Sequence, residues 1–244
     1  MAATSMDILA IAAHRDDVEQ TCGGTLLKAA QRGQRVGILD LTQGEMGTRG
    51  TAEDRAREAE DAAKILGVAW RRALNIPDGR VENTWENRLK VASVIRETRP
   101  RVLILPYWKG RHPDHYTCSV LGYEACFLAG LAKLPVGSSE TSHSPHRPFK
   151  IIYATLYYDV RPTFVVDISG QFEQKCASIF AYKSQFSNQE AGRDLFPAHE
   201  EIRARVDSMA RFYGALGGVS HAEPFVQKEV GLVEDLLAIP VKSI

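Results

Sequence analysis

Short apolar runs alternate with longer stretches of helical periodicity along most of the chain. The run at 7–13 (DILAIAA) is continuous and apolar, as are those at 35–42 and 101–106. Such runs are typical of strands that are covered on both faces of a sheet. The same reasoning, applied less strictly, predicts further strands at 68–75, 151–158, 163–168 and 225–230.

The stretches between these runs predict helices. They lie at 17–32, 52–66, 87–98, 114–134, 172–185 and 198–216. The second is the best marked, because Thr51 is a good N-cap and Gly67 stands just past its end. Strands that alternate with helices predict βαβ units and a mainly parallel sheet, here in a single domain of 244 residues. In such sheets ligands bind beyond the carboxyl ends of the strands.

Two polar clusters stand at that edge of the predicted sheet. Residues 13–19 (AHRDDVE) follow the first strand, and residues 111–115 (RHPDH) follow the strand at 101–106. His14 and Asp17 are three residues apart, so at a helix start they can face one side together. Together the clusters can supply two imidazoles and one carboxylate with an open fourth position, which suits catalytic zinc.

Simpler interpretations of the same residues stay open. A histidine at a strand end is often an ordinary polar residue, and Asp17 and Asp114 could each be a helix N-cap. Two histidines and one carboxylate also form the metal site of non-haem iron oxygenases. The alternating pattern argues against the β-barrels on which many of those enzymes are built. The other histidines have no comparable setting, namely His143, His146, His199 and His221.

Composition narrows the class of protein. Apolar residues make up 44% of the chain and charged residues 25%, which is ordinary for a globular protein. The net charge is zero and no basic stripe occurs, so nucleic acid is not an expected partner. No apolar run approaches the roughly 20 residues of a membrane span, and no signal peptide is expected. Four cysteines without a CxxC pair favour reduced thiols in a cytoplasmic protein.

The two clusters also carry a family resemblance. AHRDDVE resembles the AHPDDVE signature of the LmbE-like (PIG-L) deacetylases, and RHPDH is similar to their second signature. Further segments resemble the bacillithiol-biosynthesis branch, whose members remove acetate from N-acetylglucosaminyl malate: LDLTQGEMGTRGTAEDR, the PDG at 77–79, YKSQF at 182–186 and AEPF at 222–225. The resemblance implies a Rossmann-like three-layer α/β fold, a small amino-sugar conjugate as substrate, Zn²⁺ or in the cell Fe²⁺ as the metal, and a homo-oligomer.

Residue by residue, the resemblance implies that His14, Asp17 and His115 ligate zinc. Asp16 is then the expected general base. His112 is expected to stabilise the transition state or to protonate it, and the sequence leaves open which of these two residues protonates the leaving amine.

Four further positions follow from the resemblance or depart from it. Asp114 matches a residue that orients a motif histidine, and Arg55 and Arg111 match arginines at the sugar and its aglycone. Two guanidinium groups suit the two carboxylates of malate. Arg15 stands where the family usually has proline, and we expect its charge at the mouth of the site to favour an anionic aglycone. The loop 44–50 is a candidate lid or sugar-binding wall.

Several functions remain open on this evidence. The same chemistry would act on a chitooligosaccharide, on another glucosaminyl conjugate, or on a thiol conjugate. The alternatives from other classes are an iron oxygenase and a sugar-binding relative without activity. Adjacent carboxylates at Asp16 and Asp17 argue against the last, because binding alone needs no base.

Overall fold

A computed structural model describes residues 5–136, 143–155, 159–186 and 197–241. Its strands are β1 Ile8–Ala12, β2 Val36–Asp40, β3 Trp70–Ala73, β4 Val102–Pro106, β5 Lys150–Ala154, β6 Phe164–Asp167 and β7 Ala222–Val226. Its helices are α1 Asp17–Gln31, α2 Ala52–Ile65, α3 Trp85–Thr98, α4 Pro113–Ala129, α5 Phe172–Phe180, α6 Lys183–Phe186 and α7 His199–Gly217, followed by the 3₁₀ turn Leu236–Ala238. The predicted α/β class is confirmed.

The strands form one mixed sheet in the order β3-β2-β1-β4-β5-β7-β6. The strands β1 to β5 pair with one another in parallel, whereas β7 runs antiparallel to both β5 and β6. The chain leaves β1 toward β2 on one side and returns as β4 on the other. The carboxyl ends of β1 and β4 therefore lie side by side at the point where the strand order reverses, which is where open α/β sheets bind ligands.

The two faces of β1 differ in the size of their side chains. Along β1, Leu9 and Ile11 belong to the larger core cluster, which includes residues of α3 and α4. Ala10 and Ala12 belong to the cluster on the α1 face. Successive side chains of a strand point to opposite faces of the sheet, so β1 presents the small side chains of Ala10 and Ala12 to α1.

Some predicted boundaries were wrong for identifiable reasons. The helix predicted at 114–134 ends at Ala129, where the buried Arg96 guanidinium of α3 binds the carbonyl oxygens of Ala129 and Leu131. The tail strand predicted at 225–230 begins earlier and includes Pro224, a residue that argues against a strand in a sequence pattern. The stretch predicted as one helix at 172–185 forms α5 and α6. Residues 156–158 of another predicted strand lie outside the described part.

Helix α1 is interrupted at Cys22, whose backbone leaves the helical region (φ −140°, ψ 17°). The Lys175 ammonium donates to the carbonyl oxygen of Gln20 before the break (2.8 Å). The Glu223 carboxylate accepts the N–H groups of Gly24 and Thr25 after it (2.9 and 2.7 Å). Lys175 and Glu223 also form a buried ion pair with each other. The polar groups that the break frees thus have partners, so the interruption is part of the fold.

No helix of the described part is long and apolar enough to cross a membrane. The single-domain organisation and the self-assembly inferred from the sequence stay predictions.

We predict that Glu223→Gln lowers the free energy of unfolding by about 3–5 kcal/mol, because it leaves the Lys175 ammonium buried without its counter-charge. The double variant with Lys175→Met should lose less stability than the two single variants together. Urea unfolding followed by circular dichroism measures all three. As a control, Glu201→Gln breaks an exposed pair with Arg205 and should leave stability unchanged. Strictly additive losses in the double variant would contradict the prediction.

Candidate active site

The turn after β1 brings two side chains of the first cluster together. Asp16 is the N-cap of α1 and adopts a left-handed backbone conformation (φ 107°), and its side chain makes no capping hydrogen bond. A left-handed aspartate is a strained position of the kind that occurs at functional sites. Asp17 is the first residue of the helix, and its carboxylate accepts the backbone N–H of His14 (2.9 Å). Asp17 is therefore not an N-cap.

The second cluster opens α4. His112 is the N-cap, and its Nδ1 accepts the backbone N–H of Asp114 (3.2 Å). Pro113 occupies the first helical turn, where a missing N–H costs nothing. The Asp114 carboxylate is buried and instead accepts the N–H groups of Gly79 (2.8 Å) and Val81 (3.2 Å). The N-cap interpretation of Asp114 was also wrong.

The two turns bring three potential ligand side chains together, and Asp17 faces each histidine with a different carboxylate oxygen. His14 Nδ1 lies 3.2 Å from His115 Nε2 and 3.4 Å from Asp17 Oδ2. His115 Nε2 lies 3.2 Å from Asp17 Oδ1. Zinc bonds of 2.0–2.2 Å in a tetrahedron would set such atoms about 3.3–3.6 Å apart. The donor set and its spacing therefore fit a tetrahedral divalent cation with one position left for substrate or water.

The opposite nitrogen of the His14 ring faces two carboxylates. His14 Nε2 lies 3.2 Å from Asp114 Oδ2 and 3.0 Å from Asp78 Oδ1. These groups also lie close enough to share an ion. However, Asp114 is occupied by two backbone amides, and Asp78 Oδ2 accepts the N–H of Met46 (3.0 Å). Both carboxylates are therefore better placed to fix the tautomer and orientation of a ligating histidine.

Asp114 lies where the resemblance implied an orienting residue. Sequence reasoning missed Asp78. Its only signal was the PDG segment at 77–79, which carries no charge pattern of its own.

The electrostatics of the cluster favour a cation. Burial opposes protonation of His14, but hydrogen bonds to Asp114, Asp17 and Asp78 outweigh it and raise its pKa to about 12. Burial likewise opposes ionisation of Asp17, yet the charge of His115 and hydrogen bonds from both imidazoles hold its pKa well below the usual range. Burial also opposes protonation of His115, and Asp17 raises its pKa. Without a metal the site holds protons strongly, and a divalent cation can replace them.

Asp16 stands beside this cluster and is held by Arg55. Arg55 donates to Asp16 Oδ1 (2.9 Å), and Gln20 donates to Asp16 Oδ2 (3.2 Å). Burial raises the pKa of Asp16 to about 7, although the positive charge of Arg55 works in the opposite direction. A carboxylate with a pKa near neutral pH is suited to take up and return a proton.

Arg55 is placed differently from its expected role. Its side chain is only 6% exposed, and it donates to the carbonyl oxygens of Arg15 (2.6 Å) and Gly44 (3.3 Å) as well as to Asp16. The described contacts make Arg55 a partner of Asp16, and a contact with substrate stays a prediction. A side chain at Gly44 would overlap the guanidinium, because a Cβ there would lie 2.3 Å from Arg55 Nη1.

The two remaining candidate arginines are Arg111 and Arg15. Arg111 is exposed beside His112, and its contact with substrate stays a prediction. Arg15 donates to the carbonyl oxygen of Ala52 at the start of α2 (2.9 Å). Its guanidinium therefore joins the first cluster to α2, which weakens the expectation that it attracts an anionic aglycone.

The loop 44–50 is held at Arg49 by Gln185. Arg49 donates to the carbonyl oxygen of Gln185 (3.1 Å), and Gln185 Nε2 donates to the carbonyl oxygen of Arg49 (2.6 Å). Ser184 is bound in turn by Glu58 of α2. The YKSQF segment thus holds this loop in place, while Met46 at its tip is exposed and tied to Asp78. A lid or wall function of the loop stays a prediction.

Fold and site together define an α/β protein in which two histidines and one carboxylate are spaced to hold a metal ion beside a further buried carboxylate. The family model of the PIG-L GlcNAc-PI de-N-acetylases matches residues 9–126, which include both clusters. The diacetylchitobiose deacetylase of Thermococcus kodakarensis is 32% identical over 227 residues, which is 88% of this chain and 80% of that protein. The chain belongs to the PIG-L family, and it is a deacetylase, a hydrolase that acts on an amide.

Solved structures agree with this assignment. A conserved protein of Thermus thermophilus is 39% identical and superposes with a TM-score of 0.83, over 94% of this chain and 98% of that one. The N,N'-diacetylchitobiose deacetylase of Pyrococcus horikoshii is 27% identical with a TM-score of 0.77, over 89% of this chain and 82% of that one.

We predict that Arg55→Met moves the acid limb of the kcat/KM profile upward by roughly one pH unit, because loss of an adjacent positive charge raises the pKa of Asp16. The base works only when ionised, so activity falls as the pH drops through that pKa. The measurement is amide hydrolysis as a function of pH. Arg57→Met, an exposed residue of the same helix that contacts Asp54, is the control. An unmoved limb in Arg55→Met would show that Arg55 does not tune the base.

We also predict that Asp78→Asn weakens Zn²⁺ binding by about 10–100-fold, since it removes one of the two carboxylates that orient His14. Competition with a chromogenic chelator measures the affinity. As the control, Asp61→Asn changes an exposed carboxylate on α2 that pairs with Lys64. This variant should bind Zn²⁺ with the affinity of the unchanged protein. Equal Zn²⁺ affinities for the unchanged protein and both variants would show that Asp78 does not contribute to metal binding.

Proposed function

We propose that this protein hydrolyses the N-acetyl group of an N-acetylglucosamine conjugate, with a zinc ion held by His14, Asp17 and His115. The observation that carries the proposal is the convergence of their ligand atoms at 3.2–3.4 Å, with Asp16 beside them. Fe²⁺ suits the same ligands, and availability decides between the two metals in the cell.

The chemistry needs a polarised carbonyl and a nucleophile. When bound, zinc would polarise the acetyl carbonyl and acidify a water molecule. Asp16 takes the proton from the attacking water, and its hydrogen bonds from Arg55 and Gln20 hold it in position to do so. Cleavage of the C–N bond then yields acetate and an amine, and the amine must be protonated to leave.

The contacts of His112 support Asp16 as the residue that supplies that proton. Its Nδ1 accepts a backbone N–H from Asp114, so in the neutral ring the proton is on Nε2. Burial and the charges of His14 and His115 lower the pKa of His112, which favours this neutral form. Neutral His112 can donate a hydrogen bond to the developing oxyanion. Asp16, with its pKa near 7, returns its proton to the amine.

The aglycone has two candidates. The relationship to diacetylchitobiose deacetylases supports a chitooligosaccharide. N-acetylglucosaminyl malate is supported by the exposed Arg111 beside His112 and by Lys109 in the same loop. The malate substrate, however, was expected to use two arginines, and Arg55 is occupied by Asp16. We therefore place the chitooligosaccharide first.

We predict chelator-sensitive release of primary amine and acetate from diacetylchitobiose, with slower release from N-acetylglucosaminyl malate. Asp16→Ala should lower kcat by about 10²–10⁴-fold, because it removes the general base. Fluorescamine measures the amine, and Asp61→Ala serves as the control for loss of an exposed carboxylate. Undiminished release by Asp16→Ala would refute the role of Asp16. Oxygen consumption without amine release would favour an iron oxygenase, and sugar binding without turnover would favour a binding protein.

A further inference from the structure

A small, mostly apolar cavity lies beside the metal centre on the α1 face of the sheet. Asp17 and His115 both contribute to its lining. Most of the remaining lining comes from small or apolar residues of β1, α1, β4 and β5, among them Ala12, Cys22, Ile104 and Ala154.

The cavity owes its place to two features of the fold. Strand alternation puts Ala10 and Ala12 of β1 on this face, where larger side chains would fill the space. Helix α1 is interrupted at Cys22, and Cys22 lines the cavity. The Lys175–Glu223 ion pair, which lies outside the cavity lining, stabilises this interruption. The cavity is therefore a consequence of the fold, and it lies next to the first turns of α1, close to Asp17.

The size of the cavity limits what it can hold. The space open to the centre of a water-sized group is about 30 Å³, whereas one water molecule needs roughly 10–15 Å³ on that measure. Room for about two such groups admits a methyl and excludes a sugar ring. Thr21 and Lys109 also line the cavity, but most of its wall is apolar, and a methyl group packs against such a wall better than a polar group does.

We propose that this cavity binds the methyl group of the acetyl substituent and limits the acyl chain to two carbons. The proposal rests on the deacetylase function proposed above and names the acyl class that it accepts. An amide carbonyl at the metal centre carries nitrogen on one side and the acyl carbon on the other. The nitrogen leads to a large polar sugar, so only the acyl side can enter a small apolar space that begins at Asp17 and His115.

The test compares N-formyl, N-acetyl, N-propionyl and N-butyryl forms of one glucosaminide, with amine release as the readout. Formyl and acetyl substrates should both be hydrolysed. The kcat/KM for propionyl should fall by about 10–200-fold, the effect of one methylene that a pocket cannot accommodate. The kcat/KM for the butyryl substrate should be lower still.

Two variants change the size of the cavity in opposite directions. Ile104→Val widens it and should raise the ratio of propionyl to acetyl turnover, whereas Ala154→Val narrows it and should slow acetyl more than formyl. Ile38→Val is the matched control. Ile38 is equally buried in the same core cluster, on β2, and lies outside the cavity lining. Its ratio should equal that of the unchanged protein.

The outcomes separate this proposal from the one on which it rests. A flat profile of kcat/KM across the four acyl groups, or ratios unmoved in both folded cavity variants, would overturn the acyl limit and leave the deacetylase function standing. No amine from any of the four substrates would overturn both.

Discussion

The position of the His14 ring is the constraint on which the rest of the site depends. One nitrogen faces Asp17 and His115, and the other faces Asp78 and Asp114. A buried imidazole between so many carboxylates is stable only with a positive charge nearby, which protons supply in the absence of a metal. The arrangement exists because β1 and β4 are parallel neighbours, so that their carboxyl ends deliver both clusters to one place.

A second layer of buried charge holds the start of α1 in place. Arg71 of β3 binds Asp40 through two nitrogens and reaches Glu19 with a third contact, and the Tyr182 hydroxyl also donates to Glu19. Arg55 performs the equivalent task for Asp16 on the side of α2. The last glutamate of the AHRDDVE motif thus has a structural role, whereas its two aspartates contact Arg55 and the histidines of the site. Each charge is paired, as buried charges must be.

Loops, and not strands, form the outer parts of the site. The loop 44–50 is bound by the YKSQF segment on one side and by Asp78 on the other, and Asp78 also contacts His14, so the loop is connected to the His14 ring. Family membership establishes amide hydrolysis, and variable loops on a rigid scaffold are where such enzymes commonly differ in substrate. In our proposal the acyl group is selected elsewhere, by the cavity that Ala10, Ala12 and Ala154 help to line.

The sequence by itself determined the α/β class, the edge of the sheet where function lies, and the cluster of histidines and aspartates, because strand periodicity and short motifs are local properties. It did not determine which aspartate does what. Asp17 and Asp114 each had a plausible capping role that only the observed contacts removed. Asp78, the inward position of Arg55 and the break in α1 depend on contacts between segments distant in sequence. Such contacts leave no periodic or compositional trace, so tertiary structure alone decided them.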